Sequence, residues 1–291
     1  MIVSFHPLFE ADKNIICAGR EANMEDLSAI RAAEAVILPQ GCRQSLYEMA
    51  RNNCEHVFPN YDARFHYPGK IGQIRLFRQT DTHHPKTKIF QNIDSFRQQY
   101  GRVPKQFPFK LPFVFKLDWG GEGDTVYLIH SLKALQDILQ QAEIYERSGQ
   151  TGFLLQKYIP NRNRTLRVVI IGRRLIAYWR VQETSNGFLA NLSKGAIIDS
   201  DSDPDLRARA IAGIETFCKK TGLNLAGFDI IFSSEQKRTT PLLLEINYFF
   251  GRKGLGGSDA YYQILHKEIR DWLKRMGLEY EAKEKNSTVR I

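Results

Sequence analysis

Short apolar runs at residues 2–5, 15–17, 35–38 and 56–58 alternate with stretches at 24–33 and 43–52 whose apolar positions recur at helical spacing. Strands alternating with helices in this way predict a small α/β unit with a parallel sheet over residues 1–68. Pro68-Gly69 then interrupts the pattern. Beyond it, Ile71, Ile74 and Phe77 predict a helix over 70–79, and HHPKTKIF (83–90) reads as an extended segment.

The apolar triplet Phe113-Val114-Phe115 leads into Lys116, a glycine loop at Gly120, Gly121, Glu122 and Gly123, and a second strand over 125–129. Ser131 sits where it can cap a helix whose apolar face is Leu132, Leu135, Ile138, Leu139 and Ala142. A strand is expected over 153–159, then two strands joined at Gly172 within RTLRVVIIGRRLIAYWR (164–180). Asp203-Pro204 opens a helix that Gly222 stops. Strands over 227–232 and 241–247 form a hairpin around the polar run 233–240, and a final helix spans 258–276. The chain is thereby divided into 1–68, 69–160, 161–280 and a charged tail, 281–291.

Two residues apart on one strand, Glu245 and Asn247 share a face. Tight pairing of the hairpin sets Asp229 opposite Glu245, and directly opposed carboxylates about 5 Å apart repel unless something positive stands between them. Mg²⁺, an ion held by oxygens, fits that demand; an exposed acid and amide at a strand end is the plainer reading. Glycines after Lys116 let backbone N–H groups approach phosphate oxygens, although a bare hairpin turn would look the same. The loop lacks the P-loop order, in which the lysine follows the glycines and opens a helix. Arg167 and Arg180 are placed to point into a site, whereas Arg173 and Arg174 at the turn read as a solvated edge.

Composition narrows the partners. With 43% hydrophobic residues and no apolar run near the roughly 20 residues that span a bilayer, the 291-residue chain reads as globular with no membrane segment. No secretory leader pattern opens it, so a cytoplasmic location is expected. A formal charge of +9 favours anionic partners, but the Lys and Arg residues are dispersed, so nucleic acid is not required. Cys17, Cys42, Cys54 and Cys218 are scattered, without disulfide or zinc spacing. No G-x-G-x-x-G follows an N-terminal strand, and His83 and His84 read as loop residues rather than acid–base groups.

The ordered set of Lys70, Lys116 with its glycine loop, LLQKYI (154–159), TLR (165–167), NLSKG (191–195), GFDII (227–231) and LEIN (244–247) resembles the ATP-grasp superfamily. The likeness is greatest to the branch of ribosomal-protein glutamate ligases and glutathione synthetases, and it covers roughly residues 68–275. It implies an α/β (α+β) fold in which two antiparallel-sheet subdomains clamp ATP behind a small Rossmann-like lobe. By the same resemblance, Lys70 and Lys116 hold phosphates, the 120–123 loop closes over them, and Gln156, Lys157, Tyr158 and Ile159 border adenine. Asp229, Glu245 and Asn247 match the family's Mg²⁺ ligands, while Arg180, Arg167, Lys194 and Arg252, with Lys253, face the transfer end of the cleft.

Three departures stand out. Similar proteins have an acid where Lys157 stands and Asp-x-Arg where this chain has Thr165-Leu166-Arg167, and the bulky YFFGRK at 248–253 replaces a loop of small residues. The resemblance implies an ATP-dependent carboxylate–amine ligase working through an acyl phosphate on anionic small-molecule or peptide substrates. A small-molecule kinase on the same clamp and a non-catalytic nucleotide-binding module are the alternatives. A homo-oligomer is compatible with the sequence.

Overall fold

The computed structural model describes residues 1–101, 108–121, 123–182, 195–234 and 240–278. Among these, three sheets organise the chain. The first combines β1 (Ile2–Ser4), β2 (Lys13–Asn14), α1 (Met24–Arg31), β3 (Ala35–Ile37), α2 (Gln44–Asn53) and β4 (His56–Phe58). Its four strands are parallel in the order β2-β1-β3-β4, as the alternation of the sequence predicts. The apolar run at 15–17 is not the second strand. That strand is the polar pair Lys13–Asn14, and the ladder ends with Ile15 N donating to Ser4 O (2.9 Å), because Ala18 and Gly19 take positive φ and turn the chain away.

After α3 (Asp62–His66) and α4 (Gly69–Gln79), the second sheet is built from β5 (Thr87–Phe90), α5 (Ile93–Tyr100), β6 (Phe113–Leu117), β7 (Val126–Ile129), α6 (Leu132–Arg147) and β8 (Phe153–Lys157). It is antiparallel, ordered β5-β8-β6-β7. Strand alternation sends Phe113, Phe115, Leu117, Phe153 and Leu155 into a core with α5 and α6. Lys116, Leu154 and Gln156 are thereby left on the opposite face. Ser131 caps α6 as expected, its side chain accepting from Ala134 N.

The third sheet takes β9 (Arg164–Ile171), β10 (Arg174–Val181), β11 (Ile197–Asp199), β12 (Leu225–Ile231) and β13 (Leu242–Asn247), with α7 (Pro204–Thr221) between β11 and β12 and α8 (Gly257–Arg275) last. Every neighbour in its order β11-β10-β9-β12-β13 is antiparallel. One face packs Leu166, Val168, Trp179, Phe228 and Ile230 against Ile214 and Phe217 of α7 and Ile74 and Phe77 of α4. Helix α4, which the sequence groups with the middle unit, thus lies in the core of the last sheet. The other face is apolar at Val169, Ile171, Tyr178 and Leu225, where α8 and the N-terminal lobe cover it. Farther along, that same face turns polar at Thr165, Arg167 and Asp229, and there the candidate site lies.

Candidate active site

Strand register builds the site. Arg167 on β9 pairs with Asp229 on β12, and Asp229 pairs with Glu245 on β13, so one row crosses three strands. The expected opposition of the two carboxylates is present, with a bulge just beyond it between Asp229 and Ile230. The positive charge against Asp229 comes from two guanidiniums. Arg167 donates from Nε to Asp229 Oδ1 (2.6 Å) and from Nη2 to Oδ2 (3.1 Å). Arg180 Nη2 lies 2.6 Å from Asp229 Oδ1, and Arg180 also donates to Thr165 Oγ1 at 3.2 and 3.0 Å. Asn247 Nδ2 completes the cluster on Asp229 Oδ2 at 3.2 Å.

Glycine at 227 gives Arg167 its room, since a Cβ there would come within 3.1 Å of Nη1 and 3.2 Å of the Phe250 Cβ. Tyr178, opposite Arg167 from β10, is buried, and Gly254 is seated against its ring with no space for a side chain.

Charge is unevenly balanced across this row. Burial alone would raise the Asp229 pKa, but the Arg167 and Arg180 charges and their hydrogen bonds hold it well below the usual carboxylate range. Glu245 goes the other way. Burial and the neighbouring Asp229 charge raise it, with only partial relief from Lys116, Lys70 and Arg167. Lys116 and Lys70, both buried, are each lowered by desolvation and held up in part by Glu245. Glu245 and the two lysines thus offset one another's burial only in part.

Lys116 stands on β6 opposite Leu154 of β8 and Val126 of β7, at the entrance to the glycine loop. Gly120 and Gly123 have φ of +85° and +80°, conformations that favour glycine, and a Cβ at Gly120 would meet Thr125 at 2.5 Å. Lys70 does not stand free at the cleft: its Nζ donates to Trp119 O (3.0 Å) and Gly120 O (2.9 Å). Asp118 anchors the same region, accepting from Ile71 N at 2.6 Å. No sequence signal marked Asp118; its role appears only when helix α4 is brought beside the loop.

Gln156, placed by the resemblance at adenine, is buried with its Nε2 on Thr87 Oγ1 (2.9 Å), while Lys157 is exposed and its backbone N–H donates to Lys86 O (2.8 Å). Tyr158 and Ile159, half-buried, follow the end of β8. Arg252 lies over the rings of Tyr261 (4.8 Å) and Tyr262 (4.5 Å), with Nη1 3.4 Å from Ser258 Oγ, and Lys253 begins a short 3-10 turn. Glu122 and Lys194 fall outside the described residues. The N-terminal lobe reaches the segment after Asn247 through Gln40 Nε2, which donates to Tyr248 O (2.8 Å), and Arg64, which lies over Tyr248 and Phe249.

Two carboxylates and an amide oxygen on adjacent strands are hard donors of the kind a divalent cation takes, with both Asp229 oxygens here accepting from Arg167, Arg180 and Asn247. The raised Glu245 is the group such an ion would relieve.

Residues 69–269 match the RimK-like ATP-grasp domain, and the chain belongs to that family. A protein named probable alpha-L-glutamate ligase from Cellvibrio japonicus is 26% identical over 188 residues, spanning 64% of this chain and 57% of that protein. The chain therefore covers little more than half of that relative's length. Among solved structures, an ATP-grasp RimK domain protein from Sphaerobacter thermophilus superposes with a TM-score of 0.58 at 14% identity, covering 93% of this chain and 98% of that one. The D-alanyl-alanine synthetase A of Vibrio cholerae gives 0.56 at 14% identity over 81% and 77%. These likenesses fix the fold as ATP-grasp. The two antiparallel sheets expected from the resemblance are β5-β8-β6-β7 and β11-β10-β9-β12-β13.

Proposed function

We propose that the protein is an ATP-dependent carboxylate–amine ligase that activates a carboxylate as an acyl phosphate and passes it to an amine. The observation that carries this reading is the row Arg167, Asp229 and Glu245, completed by Asn247 and electrostatically coupled to buried Lys116 and Lys70. Phosphoryl transfer needs charge neutralisation and positioning more than a covalent protein nucleophile, and the side chains gathered here are suited to that. The names of the relatives add support for ligation and for L-glutamate as a substrate to test first.

In this reading Asp229, Glu245 and the Asn247 amide oxygen would hold Mg²⁺, which would supply neutralisation of the phosphate charge. Lys116 takes a phosphate oxygen, and the 120–123 loop, with Lys70 behind its carbonyls, covers the phosphates. Gln156, Lys157, Tyr158 and Ile159 lie along the adenine side. Arg167 and Arg180 stand where charge gathers on the transferred group, while Lys194, Arg252 and Lys253 serve the acceptor side. In the first step a carboxylate oxygen bonds to the γ-phosphorus and the bond to ADP breaks. The amine then bonds to the acyl carbon, loses a proton, and inorganic phosphate leaves.

The test is hydroxylamine capture. With ATP, Mg²⁺ and a panel of carboxylates that includes L-glutamate, the reading predicts a hydroxamate formed only when ATP and a carboxylate are both present. A stable phosphate ester without hydroxamate would instead identify a kinase.

A further inference from the structure

Strand β13 carries Glu245 and Asn247, and it is the edge of its sheet, with β12 on one side only. An edge strand leaves alternate N–H and C=O groups unpaired by the sheet, and where they are buried other groups must satisfy them. Here two groups do so. Leu243 N donates to His83 O at 2.8 Å. At Ile246, the residue between Glu245 and Asn247, the side-chain amide of Gln73 makes both bonds: Ile246 N donates to Gln73 Oε1 (2.8 Å) and Gln73 Nε2 donates to Ile246 O (3.0 Å). A primary amide offers a donor and an acceptor side by side, as a peptide group in a neighbouring strand would.

Gln73 lies three residues along α4 from Lys70, whose Nζ holds the Trp119 and Gly120 carbonyls, and two from Ile71, whose N–H is held by Asp118. The helix is closely packed at that end: a Cβ on Gly69 would come within 2.6 Å of Asp118 Oδ1, and one on Gly152 within 2.9 Å of Ile71 Cδ1. One stretch of α4 thus touches the glycine loop of one sheet and the edge strand of the other.

We propose that Gln73 is a positioning residue for Glu245 and Asn247, serving as a one-residue substitute for a missing strand and tying their placement to the glycine loop through α4. The inference rests on the metal-binding reading of that pair. Its chemistry is specific: leucine fills the same volume but makes neither bond, glutamate at neutral pH can accept from Ile246 N but cannot donate to Ile246 O, and asparagine keeps the amide but falls one methylene short.

The experiment measures Mn²⁺ binding, by its electron paramagnetic resonance signal, to the full chain saturated with ADP. Groups that orient metal ligands from behind typically change metal affinity about 10- to 100-fold when replaced. Gln73→Leu, Gln73→Glu and Gln73→Asn should each weaken Mn²⁺ by about tenfold or more on that scale. Ile74→Val, which trims the buried face of the same helix, should lower thermal stability while Mn²⁺ affinity stays at the wild-type value. Wild-type Mn²⁺ affinity in Gln73→Leu, or an equal loss in Ile74→Val, would overturn the positioning role alone. Failure of the wild-type protein to bind Mn²⁺ with ADP would remove the metal reading and this inference with it.

Discussion

Arg167 and Asp229 face each other on adjacent strands, and the guanidinium closes on both carboxylate oxygens at 2.6 and 3.1 Å with little of either side chain exposed. Removing one partner of a buried pair strands the other's charge, an effect of about 3–5 kcal/mol when no second partner remains. Arg180 remains beside Asp229 at 2.6 Å, so Arg167→Met should fall at or below the lower end, about 3 kcal/mol. Chemical denaturation of the variant checks this; a loss under about 0.5 kcal/mol, the size of an ordinary surface change, would mean the pair contributes nothing.

Acid sensitivity follows from the same contact. Asp229 is held below its unfolded value, so the folded state binds fewer protons there, and its contribution is present above the unfolded pKa and is lost as pH falls through the folded one. Asp229→Asn should therefore destabilise at pH 7, and the gap to wild type should narrow as pH drops below the ordinary carboxylate range. Melting temperatures of both proteins across an acid series test the convergence, and parallel curves would refute it.

Glu245 carries the opposite sign. Its pKa is raised first by burial and then by Asp229, so the folded state binds the proton more tightly, and stability is lost as pH rises from the unfolded value through the folded one. Without added metal at pH 7, Glu245→Gln should be as stable as wild type or more so, while losing Mg²⁺-dependent turnover. A variant that is both less stable and fully active would contradict the placement of this carboxylate at the metal.

Lys116 is buried with its pKa lowered, chiefly by desolvation, and an incoming phosphate would relieve that cost. Lys116→Met should leave the fold unharmed or firmer but weaken ATP by about tenfold or more, the equivalent of one charge-assisted contact of about 1.5–3 kcal/mol. Arg173→Ala, at the exposed β9–β10 turn, should leave ATP affinity unchanged. Calorimetric titration with ATP separates them, and equal affinities would return Lys116 to a structural role.

Much of this was legible because period and register are local. The 227–247 hairpin places Asp229 opposite Glu245 before any contact is known, and the register agrees. What could not be read is long-range. Gln73 and Asp118 matter only because α4 packs on the last sheet while touching the middle one, across separations of 173 and 47 residues. The arginine charge on Asp229 was likewise hidden: the sequence showed that something positive was needed, but not that Arg167 and Arg180 would both supply it. The polar strand Lys13–Asn14 escaped because its pairing is set by backbone bonds to β1 and not by an apolar face.

The central claim is that a carboxylate is activated by phosphoryl transfer, and it is met most directly by isotope transfer. Carboxylates labelled with oxygen-18, L-glutamate among them, are incubated with ATP, Mg²⁺, an amine and the protein, and the released inorganic phosphate is examined by mass spectrometry. The account predicts a single labelled oxygen moved from carboxylate to phosphate in step with amide formation. Amide formed with unlabelled phosphate, or label retained in a stable phosphorylated product, would contradict it.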